Sequence, residues 1–370
     1  RTSLYEAHRE LGAKFVEFAG YSMPVHYQKG VMKEHLHTRA ASGLFDVSHM
    51  GQIKVTSKEN NFDKVIEGLE SLMPADLKAL EINRQCYSFF TNERGGVIDD
   101  LMIVKHQNHF LLVVNASRKY TDYNYLKQRI GHFCHIEWVN DRSLLALQGP
   151  MSEKILSKFS SRFHRMNFLD VLSINILGVQ CWVSRSGYTG EDGFELSIPN
   201  GDVQKVFLEL LRDRNVMAAG LGARDSLRLE AGLCLYGQDL TETKTPIEAS
   251  LSWAIHRSRR NGGFPGEKII LDQLSGFVPQ KRVGLAPIGR APIREGCEIF
   301  SDLSGSNQIG QVTSGGFSPT LNKPISIAFV KAEWARIGTE VSVSLRGKRT
   351  PALIRALPFV ESNYRYKERK

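Results

Sequence analysis

The pattern change near residue 275 constrains the fold of this chain most. Beyond it, short β-like runs at 283–286, 309–313, 325–330 and 341–345 are separated by Gly, Pro, Ser and Asn. This predicts a small all-β, barrel-like domain over 275–370. Before it, helical and strand periods mix without regular alternation, which makes the class α+β. Phe62, Val65, Ile66 and Leu69 recur at helical spacing, as do Val203, Val206, Phe207, Leu210 and Leu211, so each set should bury one helix face. Strand-like runs fall at 52–55, 101–104, 110–114, 144–147 and 194–198. Ser3 and Glu6 have the spacing of a capping box, predicting a helix over about 4–11 that ends at Gly12. The charged, glycine-rich stretch 257–266 reads as a linker into the β-rich tail.

A chain of 370 residues exceeds one ordinary core, so two or three domains are expected. The five cysteines are odd in number, scattered and free of C-x-x-C spacing, which favours a reducing compartment. No apolar run approaches the ~20 residues that cross a bilayer, so no membrane segment is expected. The start of the sequence lacks the pattern of a signal peptide, while a cleaved organellar presequence is compatible with it. A net charge of +9 implies an acidic partner. The tightest basic cluster, Arg257, Arg259 and Arg260, lacks interleaved aromatics, so a solvated loop is expected there and no nucleic-acid binding.

Three segments carry candidate chemistry. In 91–101, the acids Asp99 and Asp100 follow a Gly-Gly turn and enter a strand. Adjacent side chains of a strand face opposite ways, so only one acid can look into a given cleft, unless both simply cap the turn. In 187–195, glycines allow close backbone approach, and Glu195 stands one residue into a strand where a fixed carboxylate suits an amidine-like ring edge. The alternative there is a hairpin with a solvated acidic tip, which fits Glu191 and Asp192 better than Glu195. In 223–232, Arg224, Leu227, Arg228 and Ala231 share one side of a short helix. Gly220-Leu221-Gly222 before it lacks the third glycine of a dinucleotide loop. His35, His37 and His49 have no completing cysteine or carboxylate set, so no metal is expected.

Taken together, Leu44-Phe45-Asp46-Val47-Ser48-His49-Met50, the stretch 91–101, Leu145-Ala146-Leu147-Gln148-Gly149-Pro150, and the stretches 185–195, 223–237 and 311–318 resemble the T-protein family of the glycine cleavage system, in the family's order and over essentially the whole chain. The resemblance implies a three-domain cloverleaf around a central folate channel. It implies a discontinuous first domain at 1–50 and 142–270, a second at 51–141 and a barrel-like third at 275–370. It makes Asp100 the catalytic residue and Glu195, Arg224 and Tyr364 folate or substrate contacts, with Asn115, Tyr188 and Tyr236 as further carry-overs.

The implied reaction is aminomethyl transfer from the lipoyl arm of H-protein to tetrahydrofolate, with release of ammonia. The implied protein acts as a monomer without metal or flavin, cytoplasmic if bacterial and in the mitochondrial matrix if eukaryotic. A folate-binding relative that supports iron–sulfur enzyme maturation is the alternative. Its K-G-C-Y-x-G-Q-E signature differs from Gly232-Leu233-Cys234-Leu235-Tyr236-Gly237-Gln238-Asp239 here, which lacks the leading lysine and the final glutamate. Flavin-fused demethylating relatives need a domain for which this chain has no room.

Overall fold

The computed structural model describes residues 1–304 and 307–366. Three larger sheets organise the described residues, beside a two-stranded hairpin of Lys14–Phe18 and Tyr21–His26. A six-stranded sheet has the order Val171–Ile176, Val179–Ser184, Gly193–Pro199, Arg142–Gln148, Ser42–Asp46 and Val216–Ala218. All its pairs are antiparallel except the last, which is parallel. A five-stranded antiparallel sheet has the order Arg84–Thr91, Val97–Lys105, His109–Val114, Gly51–Ser57 and Cys134–Trp138. The third sheet is a closed six-stranded barrel, in which Gln280–Pro287 pairs with both Lys323–Lys331 and Lys348–Arg355 and leaves no open edge. The fold is thus α+β, with a β-barrel at its C-terminal end.

Each sheet has its own core. On the six-stranded sheet the helix Val203–Leu211 buries Val203, Val206, Phe207 and Leu210 against Leu196, Ile198 and Val183. Burying a side chain of this size contributes about 1.5–3 kcal/mol. The helix Phe62–Glu70, capped by the Asn61 side chain, and the helix Lys119–Ile130 cover the five-stranded sheet. A further cluster binds the parts together: Phe89 and Val97 of the five-stranded sheet meet Cys234, Leu251 and Ile270, which precede the barrel in the chain, and Phe329 of the barrel itself.

Two local expectations fail. The first helix, Tyr5–Glu10, begins without a side-chain cap. Glu6 pairs with Arg9 at 2.6 Å instead, and the entry is fixed by the fully buried Leu4 and by Thr2, whose hydroxyl donates to Asp46 at 2.7 Å. The stretch 257–266 is no free linker. Arg259 donates to the Glu70 carbonyl at 2.7 Å, Phe264 is buried, and Thr91 donates to the Pro265 carbonyl at 2.6 Å. Long-range polar contacts that the local composition does not reveal fasten this segment, and the helix Glu267–Ser275 follows it before the barrel starts.

Candidate functional site

Where the sheets meet, a cavity of about 1490 Å³ opens, walled by all three of them and by the chain end. Asp100, Asn115, Tyr188, Glu195, Arg224, Tyr236 and Tyr364 all line it.

The strand Val97–Lys105 delivers Asp99 and Asp100 to opposite faces. The turn before it forces close approach, since a Cβ on Gly96 would lie 1.8 Å from the Glu242 carbonyl oxygen. Asp99 is fully buried and accepts from the Asn115 backbone N–H at 3.1 Å and from Asn115 Nδ2 at 2.9 Å. Asp100 lies on the cavity wall, where it accepts from Asn115 Nδ2 at 2.8 Å and from the Tyr87 hydroxyl at 3.0 Å. Burial and the charge of Asp99 push the Asp100 carboxyl up to about 7, against the two donors that favour its ionised form. A carboxyl with this value exchanges a proton readily near neutral pH.

Opposite the acid pair stands the strand Gly193–Pro199. Glu195 accepts from the Ser186 hydroxyl at 2.8 Å. Backbone and side chain pack tightly beneath it, as a Cβ on Gly187 would lie 1.8 Å from Gln148 Oε1. The acidic tip expected beside it is not solvated. Glu191 is buried and pairs with Arg39 at 2.9 Å, and Asp192 takes the Arg185 guanidinium. Both acids therefore brace the hairpin.

The helix Leu221–Glu230 brings Arg224 to the cavity and turns Arg228 inward. Arg228 is buried and spent on Asp225 at 2.8 Å, Asp239 at 2.9 Å and Ser314 at 3.0 Å. Arg224 lies 4.8 Å over the Tyr188 ring, and its buried Nη1 has no partner among the described residues. Burial lowers its affinity for a proton, opposed by Glu195 and Tyr188. A guanidinium keeps its charge regardless, so an unsatisfied donor aimed at a cavity calls for an acceptor from a ligand. Tyr188 donates to the Cys234 carbonyl, and Tyr236 donates to the Val97 carbonyl at 3.2 Å beneath the Arg118 guanidinium. From the chain end, Tyr364 stacks on Phe168 with ring centroids 4.2 Å apart.

Sequence reasoning missed Tyr87, Phe168 and Trp253, which also line the cavity, and weighed His49, a further lining residue, only as a metal ligand. Tyr87 reaches Asp100 only through strand pairing and stacks on Trp253 at 5.3 Å. Phe168 meets Tyr364 across nearly 200 residues, a relation that no local pattern contains. The three histidines scatter. His35 contacts Ser226 and Glu230, and His37 the Asn215 carbonyl. His49 is buried beside Phe18, where burial and Arg224 push it down to about 4.

Comparison with known proteins completes the description. The GCVT N-terminal domain family matches residues 4–259, and the glycine cleavage T-protein C-terminal barrel domain matches residues 280–361. The mitochondrial aminomethyltransferase of Dictyostelium discoideum is 47% identical, covering 99% of this chain and 93% of its own length. The mitochondrial aminomethyltransferase of Homo sapiens is 41% identical, covering 98% and 91%. The crystal structure of the glycine cleavage system aminomethyltransferase T of Bartonella henselae superposes with a TM-score of 0.92 at 43% identity, covering 98% of each chain.

Proposed function

Because this chain belongs to the glycine cleavage T-protein family, and its relatives from Dictyostelium discoideum and Homo sapiens are aminomethyltransferases, we propose that its cavity holds tetrahydrofolate against the aminomethyl-loaded lipoyl arm of H-protein, with Asp100 as the catalytic group. The observation that carries the assignment of Asp100 is its position on the cavity wall with a carboxyl pushed up to about 7.

Cavities for one small ligand run to roughly 300–1,000 Å³. The larger volume here leaves space for a folate and an arm together. A pterin presents a ring N–H and an exocyclic amine side by side, and Glu195 can accept from both. Arg224 supplies the free donor for the carbonyl side of the ring or for the glutamyl carboxylate. Tyr188, Tyr236 and Tyr364 give flat apolar walls, and Asn115 holds Asp100 in place.

In the reaction the methylene carbon exchanges both of its bonds. Its C–S and C–N bonds break, bonds to folate N5 and N10 form, and the two folate protons leave on the thiol and on ammonia. Asp100 accepts a folate amine proton as the first C–N bond forms and passes it to a leaving group, and the anion this restores steadies the cationic methylene carbon until the second C–N bond forms. We read the three lobes as domains at 1–50 with 142–270, at 51–141 and at 275–370. The 47% identity to a mitochondrial protein supports a matrix location.

The test is ammonia release and methylene-tetrahydrofolate formation from aminomethyl-loaded H-protein, with and without tetrahydrofolate. Folate-dependent turnover is expected. Tight folate binding with no turnover would overturn the reading.

A further inference from the structure

Behind the cavity wall lies a carboxyl that the reaction does not touch. Asp122, on the helix Lys119–Ile130, is fully buried, and its side chain meets that of Asp99, also fully buried. Among the described residues, no N–H or O–H donor reaches either Asp122 oxygen. Two ionised carboxylates in contact without water would repel each other and forfeit their hydration. A single proton between them turns the clash into an O–H···O bond.

The neighbours decide which acid carries that proton. Asp99 accepts two hydrogens from Asn115, and donors favour an anion. Asp122 has no such donors. The nearest cation, Arg118, is spent on the Ile98 carbonyl at 2.9 Å and on Glu242 at 2.6 Å, with Tyr236 5.1 Å beneath it. The other titratable groups facing this cluster are Asp100 on the same strand as Asp99 and Tyr87 on the strand beside it.

We propose that Asp122 is a neutral carboxylic acid that donates its proton to Asp99, and that the pair, acting through Asn115, positions Asp100 and sets its charge. Burial and the charge of Asp99 point the same way, pushing Asp122 up to about 10. The link to the cavity is the Asn115 amide. Its Nδ2 donates to Asp99 Oδ1 at 2.9 Å, to Asp100 Oδ1 at 2.8 Å and to the Asp100 carbonyl at 3.0 Å. While Asp122 supplies the proton, Asp99 stays an anion, and it both holds Asn115 and repels charge on Asp100. The positioning role rests on the catalytic reading of Asp100, whereas the protonation state of Asp122 does not.

Two measurements on the full chain test this: the pH profile of kcat with aminomethyl-loaded H-protein and tetrahydrofolate, and the infrared band of protonated carboxylic acids. The amide of Asp122→Asn is neutral and still donates. Its kcat should stay within about two-fold of the parent with the acid limb unmoved, while one carboxylic acid band disappears. Asp122→Ala removes the donor, so Asp99 takes up a proton and repels Asp100 less. The acid limb should then move to lower pH, with kcat down by on the order of ten-fold.

If Asp122→Asn leaves the infrared spectrum unchanged, or lowers the acid limb as loss of a charge would, Asp122 is ionised and the proposal fails. If Asp122→Ala behaves as the parent, the positioning role fails. Should the alanine variant not fold, the asparagine variant and the infrared band still decide. Full activity in Asp100→Asn with the Asp122 band intact would instead sink the catalytic reading of Asp100.

Discussion

The Tyr87 hydroxyl donates to the Asp100 carboxylate at 3.0 Å from the neighbouring strand, where Phe89 rather than Tyr87 stands directly opposite Asp100. The contact is therefore a diagonal one between positions on the same face of the sheet. It favours the ionised carboxylate against the burial that raises it. In Tyr87→Phe the ring keeps its stack on Trp253 while the donor is lost. The acid limb of the kcat profile should move to higher pH. At pH 7 the rate should fall roughly two- to five-fold, the worth of about one hydrogen bond, and recover at higher pH. A uniform loss at every pH would remove Tyr87 from control of the charge.

Asp100→Asn should lower kcat by about 10²–10⁴-fold with folate affinity held within a few-fold, because the group acts on a proton and not on the ground-state ring. Stability should move the other way. The folded carboxyl sits at about 7 and the unfolded one near ~3.9. Between those values the folded chain holds a proton that the unfolded chain has released, so stability falls as pH rises through the window. An ionised Asp100 is thus a cost above pH 7, and the asparagine variant should melt a few degrees higher there. Thermal melts at pH 5 and pH 8 would check this, with the gain expected mainly at pH 8.

Glu195→Gln and Arg224→Lys probe the ring-binding side. The glutamine keeps one acceptor and loses the charge, so tetrahydrofolate affinity should drop by roughly 10–100-fold, as for a charge-assisted pair. Lysine at 224 cannot lie flat over Tyr188 as the guanidinium does at 4.8 Å, and a similar loss is expected. Titration calorimetry with tetrahydrofolate alone reads both. Unchanged affinity in either variant would take that side chain out of the binding site.

How much of this was legible in the sequence depended on the range of the interaction. The helices at 62–70 and 203–211 and four of the six barrel strands follow from local period and turn residues, because one buried face dictates both, whereas Glu298–Phe300 and Lys348–Arg355 went unread. The pair Asp99 and Asp100 stood out because two acids follow a Gly-Gly turn; strand alternation says only that one of them can face a cleft, and the family resemblance picked Asp100. Tyr87, Phe168 and Asp122 carried no local signal. Their partners lie on other strands or helices, and a tyrosine, a phenylalanine or an aspartate in an amphipathic stretch looks like any other. The expected cap at Ser3 and the expected linker at 257–266 failed for the same reason. Thr2 to Asp46 and Arg259 to Glu70 are contacts between distant segments that override the local pattern.

The net charge of +9 makes a prediction about H-protein. A positive surface that steers an acidic partner acts mainly on the association rate and weakens as salt screens it. Raising ionic strength from about 0.05 to 0.5 M should raise the KM for loaded H-protein by on the order of ten-fold with kcat little changed. A KM indifferent to salt would mean that docking rests on apolar contact.

Glu230 ties three parts of the chain at one buried carboxylate. It accepts from Arg39 at 2.9 Å, contacts His35 at 3.1 Å, and takes the hydroxyl of Thr320 at 2.7 Å and its backbone N–H at 3.1 Å, while its own carbonyl receives the N–H of Phe359. These donors hold its carboxyl down at about 2, despite full burial. The folded value lies below the unfolded ~4.3, so the stabilisation is complete above that pH and is lost as pH falls toward 2. Glu230→Gln takes away one of the two buried counter-charges of Arg39, the other being Glu191, and should cost about 1.5–3 kcal/mol at pH 7. The penalty should shrink as pH drops from about 4 toward 2, where the parent loses the same charge. Urea unfolding of both proteins across this range measures it, and a penalty independent of pH would assign the loss to packing instead of charge.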